Sequence, residues 1–193
     1  TPANGNQNVA GSFTIVTVDA DTIGLSICAY ASGTKRLELS LRSNGTHYIP
    51  RLEYVNPPLS AWPISAAIVL DDTAGKERIK TIGDTYRGYL EPRYSGSGNI
   101  ITAKGYVQRA SDSKWLHPTT GWQTTKVACF DGSYDDTTAA NAPYNQPIVI
   151  PGKVGISGFA FADSSRGLQL DDFYAEDYVP GQSSGTLSVT AAG

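Results

Sequence analysis

The segment Lys35–Arg42 (KRLELSLR) puts Leu37, Leu39 and Leu41 at one parity and Arg36, Glu38, Ser40 and Arg42 at the other. Side chains along a strand point alternately to opposite faces, so this run predicts a strand with one buried and one solvated face. On a helix the same residues would scatter apolar and charged groups around the axis. A half-apolar strand must pair with others and cover its leucine face, so the chain is committed to a layered sheet.

The rest of the sequence repeats the theme. Phe13–Val18 and Thr22–Cys28 flank a short acidic turn at Asp19-Ala20-Asp21 and read as a leading hairpin within residues 12–29. Asn44-Gly45 is a tight-turn signal, after which Thr46–Val55 returns antiparallel. Trp62–Leu70 (WPISAAIVL) reads as a buried central strand. Strands follow at Glu77–Ile82, Thr85–Tyr94 and Asn99–Arg109, then a hairpin over Trp115–Gln123 with Pro118–Gly121 at its tip, then Lys126–Phe130. Asp131–Gln146 is the longest irregular stretch, of the kind that holds ligands. Val154–Phe161 and Leu168–Tyr178 are the last strands of the body. No segment sustains a helical period, so the expected fold is an all-β antiparallel β-sandwich. It occupies residues 12–179, between an N-terminal arm (1–11) and a C-terminal tail (180–193).

Composition narrows the partners. With 40% apolar residues a sizeable core can form, and 20 Gly with 11 Pro punctuate the turns. Charged residues make up 17% of the chain, the net charge is −3, and no like-charge block occurs, so neither nucleic acid nor an anionic membrane is an expected partner. No apolar run approaches the ~20 residues of a membrane-spanning helix. Cys28 and Cys129 lie far apart in sequence; they form one disulfide or remain two buried free thiols, the second being preferred.

The stretch Gly152–Asp177 (GKVGISGFAFADSSRGLQLDDFYAED) resembles the closing strands of concanavalin A-like, laminin G-type domains, whose "LDDF" strand completes a jelly-roll sandwich. The phrase GSFTIVTVDADTIGLS resembles a small hairpin element of bacteriophage virion proteins. The first resemblance implies a scaffold used for glycan binding, glycan cleavage or assembly. Within it, Leu168 and Leu170 share a parity that Phe173 does not. A bulge at Asp171-Asp172 would turn Phe173 inward and leave the two carboxylates facing outward.

Enzymes of this fold cleave glycans with paired carboxylates on one strand face. The Glu-x-Asp-x-x-Glu string that supplies them in laminarinase-like members does not occur, and Tyr144-Asn145-Gln146 lies between Pro143 and Pro147 without the lyase motif around it. His47 and His117 have no evident nucleophilic partners. The expectation is therefore a non-enzyme. A glycan site would use Trp115, Trp122, Tyr134 and Tyr144 as stacking faces with Gln123 and Asn145 beside them, whereas the opposing reading makes Trp62 and one other tryptophan core anchors. The resemblance to laminin G-type domains also implies a rim Ca2+, with Asp135 and Asp136 as its candidate ligands, although the loop lacks EF-hand order.

Polar arms such as Thr1–Gly11 and Gly181–Gly193 suit the clasping of neighbouring subunits. The leading expectation is thus a structural or decoration protein of a virion, that of a bacteriophage, working in a homo-oligomer or with other virion subunits. The alternative is a secreted carbohydrate-binding module that meets host-surface or extracellular glycans, and a polysaccharide lyase or glycoside hydrolase ranks below both.

Overall fold

The computed structural model describes residues 7–18, 24–32, 35–56, 60–63, 68, 70–94, 100–135, 153–158 and 167–177. Among them every regular element is a strand, and all pairings are antiparallel within two sheets. The strands are β1 (Gln7–Ile15), β2 (Gly24–Ser32), β3 (Lys35–Ser43), β4 (Tyr48–Asn56), β5 (Ser60–Pro63), β6 (Thr85–Tyr94), β7 (Ile100–Arg109), β8 (Trp115–His117), β9 (Gly121–Gln123), β10 (Phe130–Asp135), β11 (Lys153–Gly158) and β12 (Leu168–Asp177). The seven-stranded sheet runs β12-β1-β6-β7-β8-β9, with β10 also on β7; the five-stranded sheet runs β11-β2-β3-β4-β5.

The two sheets pack their apolar parities against each other. Phe13 and Ile15 from β1, Leu90 from β6 and Phe130 from β10 meet Ile27 of β2, Leu39 of β3 and Tyr54 of β4 in one core. Close approach is made possible by Gly11 and Gly88, which face each other across β1 and β6. A Cβ on Gly88 would lie 2.8 Å from the Phe13 ring and 3.3 Å from a Leu39 methyl, so the glycine is the space into which these side chains fit.

Several expectations are corrected by this arrangement. β1 and β2 do not form a hairpin; they belong to different sheets, because Phe13 and Ile27 face each other across the interior rather than along one surface. Residues 7–11, expected in the arm, are the first half of β1, which lies between β12 and β6. Of the Trp62–Leu70 run, Trp62 and Pro63 end β5 (Ser60–Pro63) at a sheet edge, where proline's missing N–H is tolerated, Ile68 and Leu70 are buried outside any strand, and residues 64–67 and 69 lie outside the described residues. Of Glu77–Ile82 only Ile79 forms a bridge, to Tyr48. Phe130–Asp135 is strand rather than the start of a loop, and Lys126 precedes it in irregular chain. The remaining arm residues 1–6 and the tail 180–193 lie outside the described residues.

The parity that was expected to be solvated on β3 is instead shut away from water. Glu38 is 0% exposed and accepts hydrogen bonds from Arg36 Nε and Arg42 Nη2, both at 2.7 Å. Arg42 also reaches Glu53 Oε2 at 2.6 Å, and Arg51 meets the other oxygen at 3.4 Å. Opposite charges satisfy each other there, which is how charged groups tolerate burial.

The bulge on the closing strand is present. Ala10 pairs with Tyr174 and Ser12 with Asp171, so Gly11 alone opposes Asp172 and Phe173. Asp172 takes up the extra residue with φ 50°, Phe173 packs against the core, and both aspartates are exposed.

Candidate functional site

The outward face of the seven-stranded sheet carries a groove of about 630 Å³. Its floor follows from register. Tyr174 of β12, Ala10 of β1 and Tyr89 of β6 are successive cross-strand partners that line it in one row, and Tyr106 of β7 continues the row beyond the lining. With strands ~4.8 Å apart, the single methyl of Ala10 forms the low point of a trough between the tyrosines on either side and is itself only 3% exposed. The adjoining row, Ser12, Arg87, Gln108 and Trp115, is polar until its end.

Trp115 closes the aromatic end. Its ring centroid lies 5.5 Å from that of Tyr89 in a tilted contact and 6.3 Å from that of Tyr106 in an edge-on one. The Lys126 ammonium stands over all three rings, 4.5 Å from Tyr106, 5.3 Å from Trp115 and 5.7 Å from Tyr89, distances at which a cation is held by ring quadrupoles. Glu91 lies beside it: Oε1 is 3.7 Å from Lys126 Nζ, and the Tyr106 hydroxyl donates to Oε2 at 3.4 Å. Burial, with the Glu91 charge next in effect, pushes the Tyr106 phenol up to about 12, and burial also raises Tyr89 and Tyr174. These hydroxyls therefore stay protonated and available as donors near neutral pH.

Polar groups at the other end are held in place. Arg93 Nη1 donates to Asn8 Oδ1 at 2.9 Å, Asn8 Nδ2 donates to Glu176 Oε1 at 3.1 Å, and Ser12 Oγ donates to Asp172 Oδ2 at 3.3 Å. The trough thus combines half-buried aromatic faces with oriented amides and carboxylates, the make-up of a site that grips a ligand having both apolar and hydroxyl-rich faces.

The expected glycan residues are divided by the sheet. Trp115 and Gln123 are direct partners on the outward face, where Gln123 Nε2 donates to Thr125 O at 3.4 Å. Trp122 pairs with Leu116 on the inward face and is 6% exposed. Its indole N–H donates to Glu77 O at 2.9 Å, its ring meets Tyr86 at 5.6 Å, and Arg109 stacks 5.0 Å above it. It is a core anchor and cannot share a surface with Trp115. Tyr134 and Asp135 sit in β10 opposite Ile101 and Ile100, and their side chains lie outside the described residues, as do Tyr144, Asn145 and Asp136 entirely. Among the described residues no group of three or more His, Cys, Asp or Glu is placed to hold a metal ion.

Cys28 and Cys129 are both free and buried. Cys28 pairs with Glu38 on the outward side of the five-stranded sheet, whereas Cys129 belongs to the core and bonds Gly105 O through Sγ at 3.3 Å. A sheet separates them, which excludes the disulfide between them. His117 Nδ1 accepts from the Thr119 and Thr120 amides, both at 3.2 Å, and so shapes its own turn.

Tyr106, Tyr174 and Lys126 were not singled out from sequence, and Tyr86–Tyr89 reads there as a strand with alternating faces rather than a binding motif. The parity of Arg87, Tyr89 and Glu91 marks an outward row, but only the register with Ala10 shows that row to be a trough. Comparison with protein-family models, with curated proteins and with solved structures returned no match.

Proposed function

We propose that this protein is a non-enzymatic glycan-binding module, a concanavalin A/laminin G-like β-sandwich that holds a saccharide chain in the groove of its seven-stranded sheet. The observation that carries the reading is the Tyr174–Ala10–Tyr89 row with Trp115, from the adjoining row, packed against Tyr89 at its end. It offers aromatic faces to the C–H faces of pyranose rings, with the exposed Arg87 beside them for hydroxyls. Catalysis is disfavoured because each groove carboxylate already has a partner: Glu91 with Lys126 and Tyr106, Glu176 with Asn8, Asp172 with Ser12. Secretion, with extracellular or host-surface glycans as the partner, suits this reading. The virion role draws on the arms and on the leading hairpin; β1 and β2 do not pair, so it is the weaker proposal.

The test is retention on a panel of insoluble polysaccharides and immobilised oligosaccharides. Trp115→Ala and Tyr89→Ala should each weaken binding ~tenfold or more, the loss expected for one stacked aromatic, while each variant stays folded because neither ring belongs to the core between the sheets. A wild-type protein that binds no glycan on the panel would overturn the proposal.

A further inference from the structure

We infer that Tyr89, Tyr106 and Trp115 form a cage for an organic ammonium group, occupied at rest by Lys126 and surrendered to a ligand's own cation. The inference rests on the groove being the ligand site and adds a ligand class to it: a saccharide bearing free amines, such as a 2-amino-2-deoxyhexose polymer.

Four observations carry it. Three rings from three strands surround one ammonium at 4.5 to 5.7 Å, and tilted and edge-on rings converging on a single point are the arrangement that selects cations. A carboxylate completes the cage, since Glu91 stands 3.7 Å from the ammonium and is hydrogen-bonded by Tyr106. The walls belong to β6, β7 and β8, while Lys126 comes from irregular chain between β9 and β10 and its side chain is 36% exposed. A flexible stem can therefore leave without disturbing the cage, and it regains rotamer freedom when it does. The groove also favours a positive ligand: Glu91, Asp172 and Glu176 line it against Arg87 and Lys126, so withdrawal of Lys126 leaves three carboxylates against Arg87 in the lining and Arg93 just outside it, bonded to Asn8. An incoming ammonium restores the balance, whereas a uronic acid polymer would worsen it.

Titration calorimetry with four probes decides the matter: a deacetylated glucosamine oligomer, its N-acetylated counterpart, a neutral glucose oligomer of the same length, and choline chloride. The deacetylated oligomer should bind at least ~tenfold more tightly than the acetylated one. Lys126→Ala should raise its affinity by a similar factor, because the resident competitor is gone. Tyr106→Leu, a cage wall outside the groove lining, should abolish the preference for amines while leaving neutral-oligomer binding intact. Choline binding to Lys126→Ala would show that the cage acts on cations without the sugar. Equal affinity for acetylated and deacetylated oligomers, or weaker amine binding by Lys126→Ala, overturns the inference while the glycan-binding proposal stands. Binding of choline alone, with no oligomer bound, supports the cage and overturns the glycan reading; absence of binding by all four overturns both.

Discussion

Individual side chains here are fixed by what the opposite sheet needs. Gly88 is the clearest case, because its missing Cβ admits the Phe13 ring and a Leu39 methyl from two directions. Replacing it with alanine puts a methyl where neither neighbour can retreat, since both are core residues about 1% exposed. Overpacking of this kind costs roughly 1–3 kcal/mol, so Gly88→Ala should lower the urea midpoint by a corresponding amount. Gly155→Ala is the control: the added Cβ meets nothing within 4 Å, and that variant should unfold near the wild-type midpoint. Equal midpoints for the two variants would show that the sheets can separate to admit a methyl. The same logic explains Trp122. Sequence marks it as a large aromatic in a hairpin, but whether it faces sugar or core is decided by parity against Leu116, which a single strand of three residues does not reveal.

At the scale of elements, β3 shows how far alternation can be read and where it stops. The leucine face is legible from residues 37, 39 and 41, and all three are buried in the core. The opposite parity reads as solvated because charged residues usually are. Its burial is tolerated because Glu38 and Glu53 sit opposite each other on β3 and β4, within reach of Arg36, Arg42 and Arg51, and that cross-strand match is invisible until the register is known. The bulge in β12 was legible for a complementary reason: a phase break between Leu170 and Phe173 is carried by the sequence itself. Removing one partner from a buried ion network strands the others, at about 3–5 kcal/mol. Glu38→Ala should therefore unfold at markedly lower urea, while Lys80→Ala, which loses only a half-exposed bridge to Asp72, should shift stability by less than ~1 kcal/mol. Comparable effects from the two substitutions would mean that water reaches the β3–β4 network freely.

At the scale of the whole molecule, the two sheets are joined by packing rather than by a covalent bond between the cysteines, and the thiols themselves can report whether they separate together. Cys28 belongs to the five-stranded sheet and Cys129 lies against β7 of the seven-stranded one, each at most 4% exposed. Desolvation pushes both thiols up to about 12, so at pH 8 neither forms the thiolate that reacts with disulfide reagents. The native protein should thus give no thiol reaction at pH 8, and reductant should leave its melting temperature unchanged. Cys129 belongs to the core that both sheets share, and Cys28 lies on β2, whose other side packs Ile27 and Ala29 into that core, so the two thiols should become accessible together. Measured separately in Cys28→Ser and Cys129→Ser variants, the remaining thiol should become reactive at the same urea concentration as the loss of near-ultraviolet dichroism of that variant. A Cys28 that reacts well below that concentration would show that the outward side of the five-stranded sheet opens without the shared core. The groove would then sit on the more stable of two layers, and saccharide binding should protect Cys129 from reaction more than Cys28.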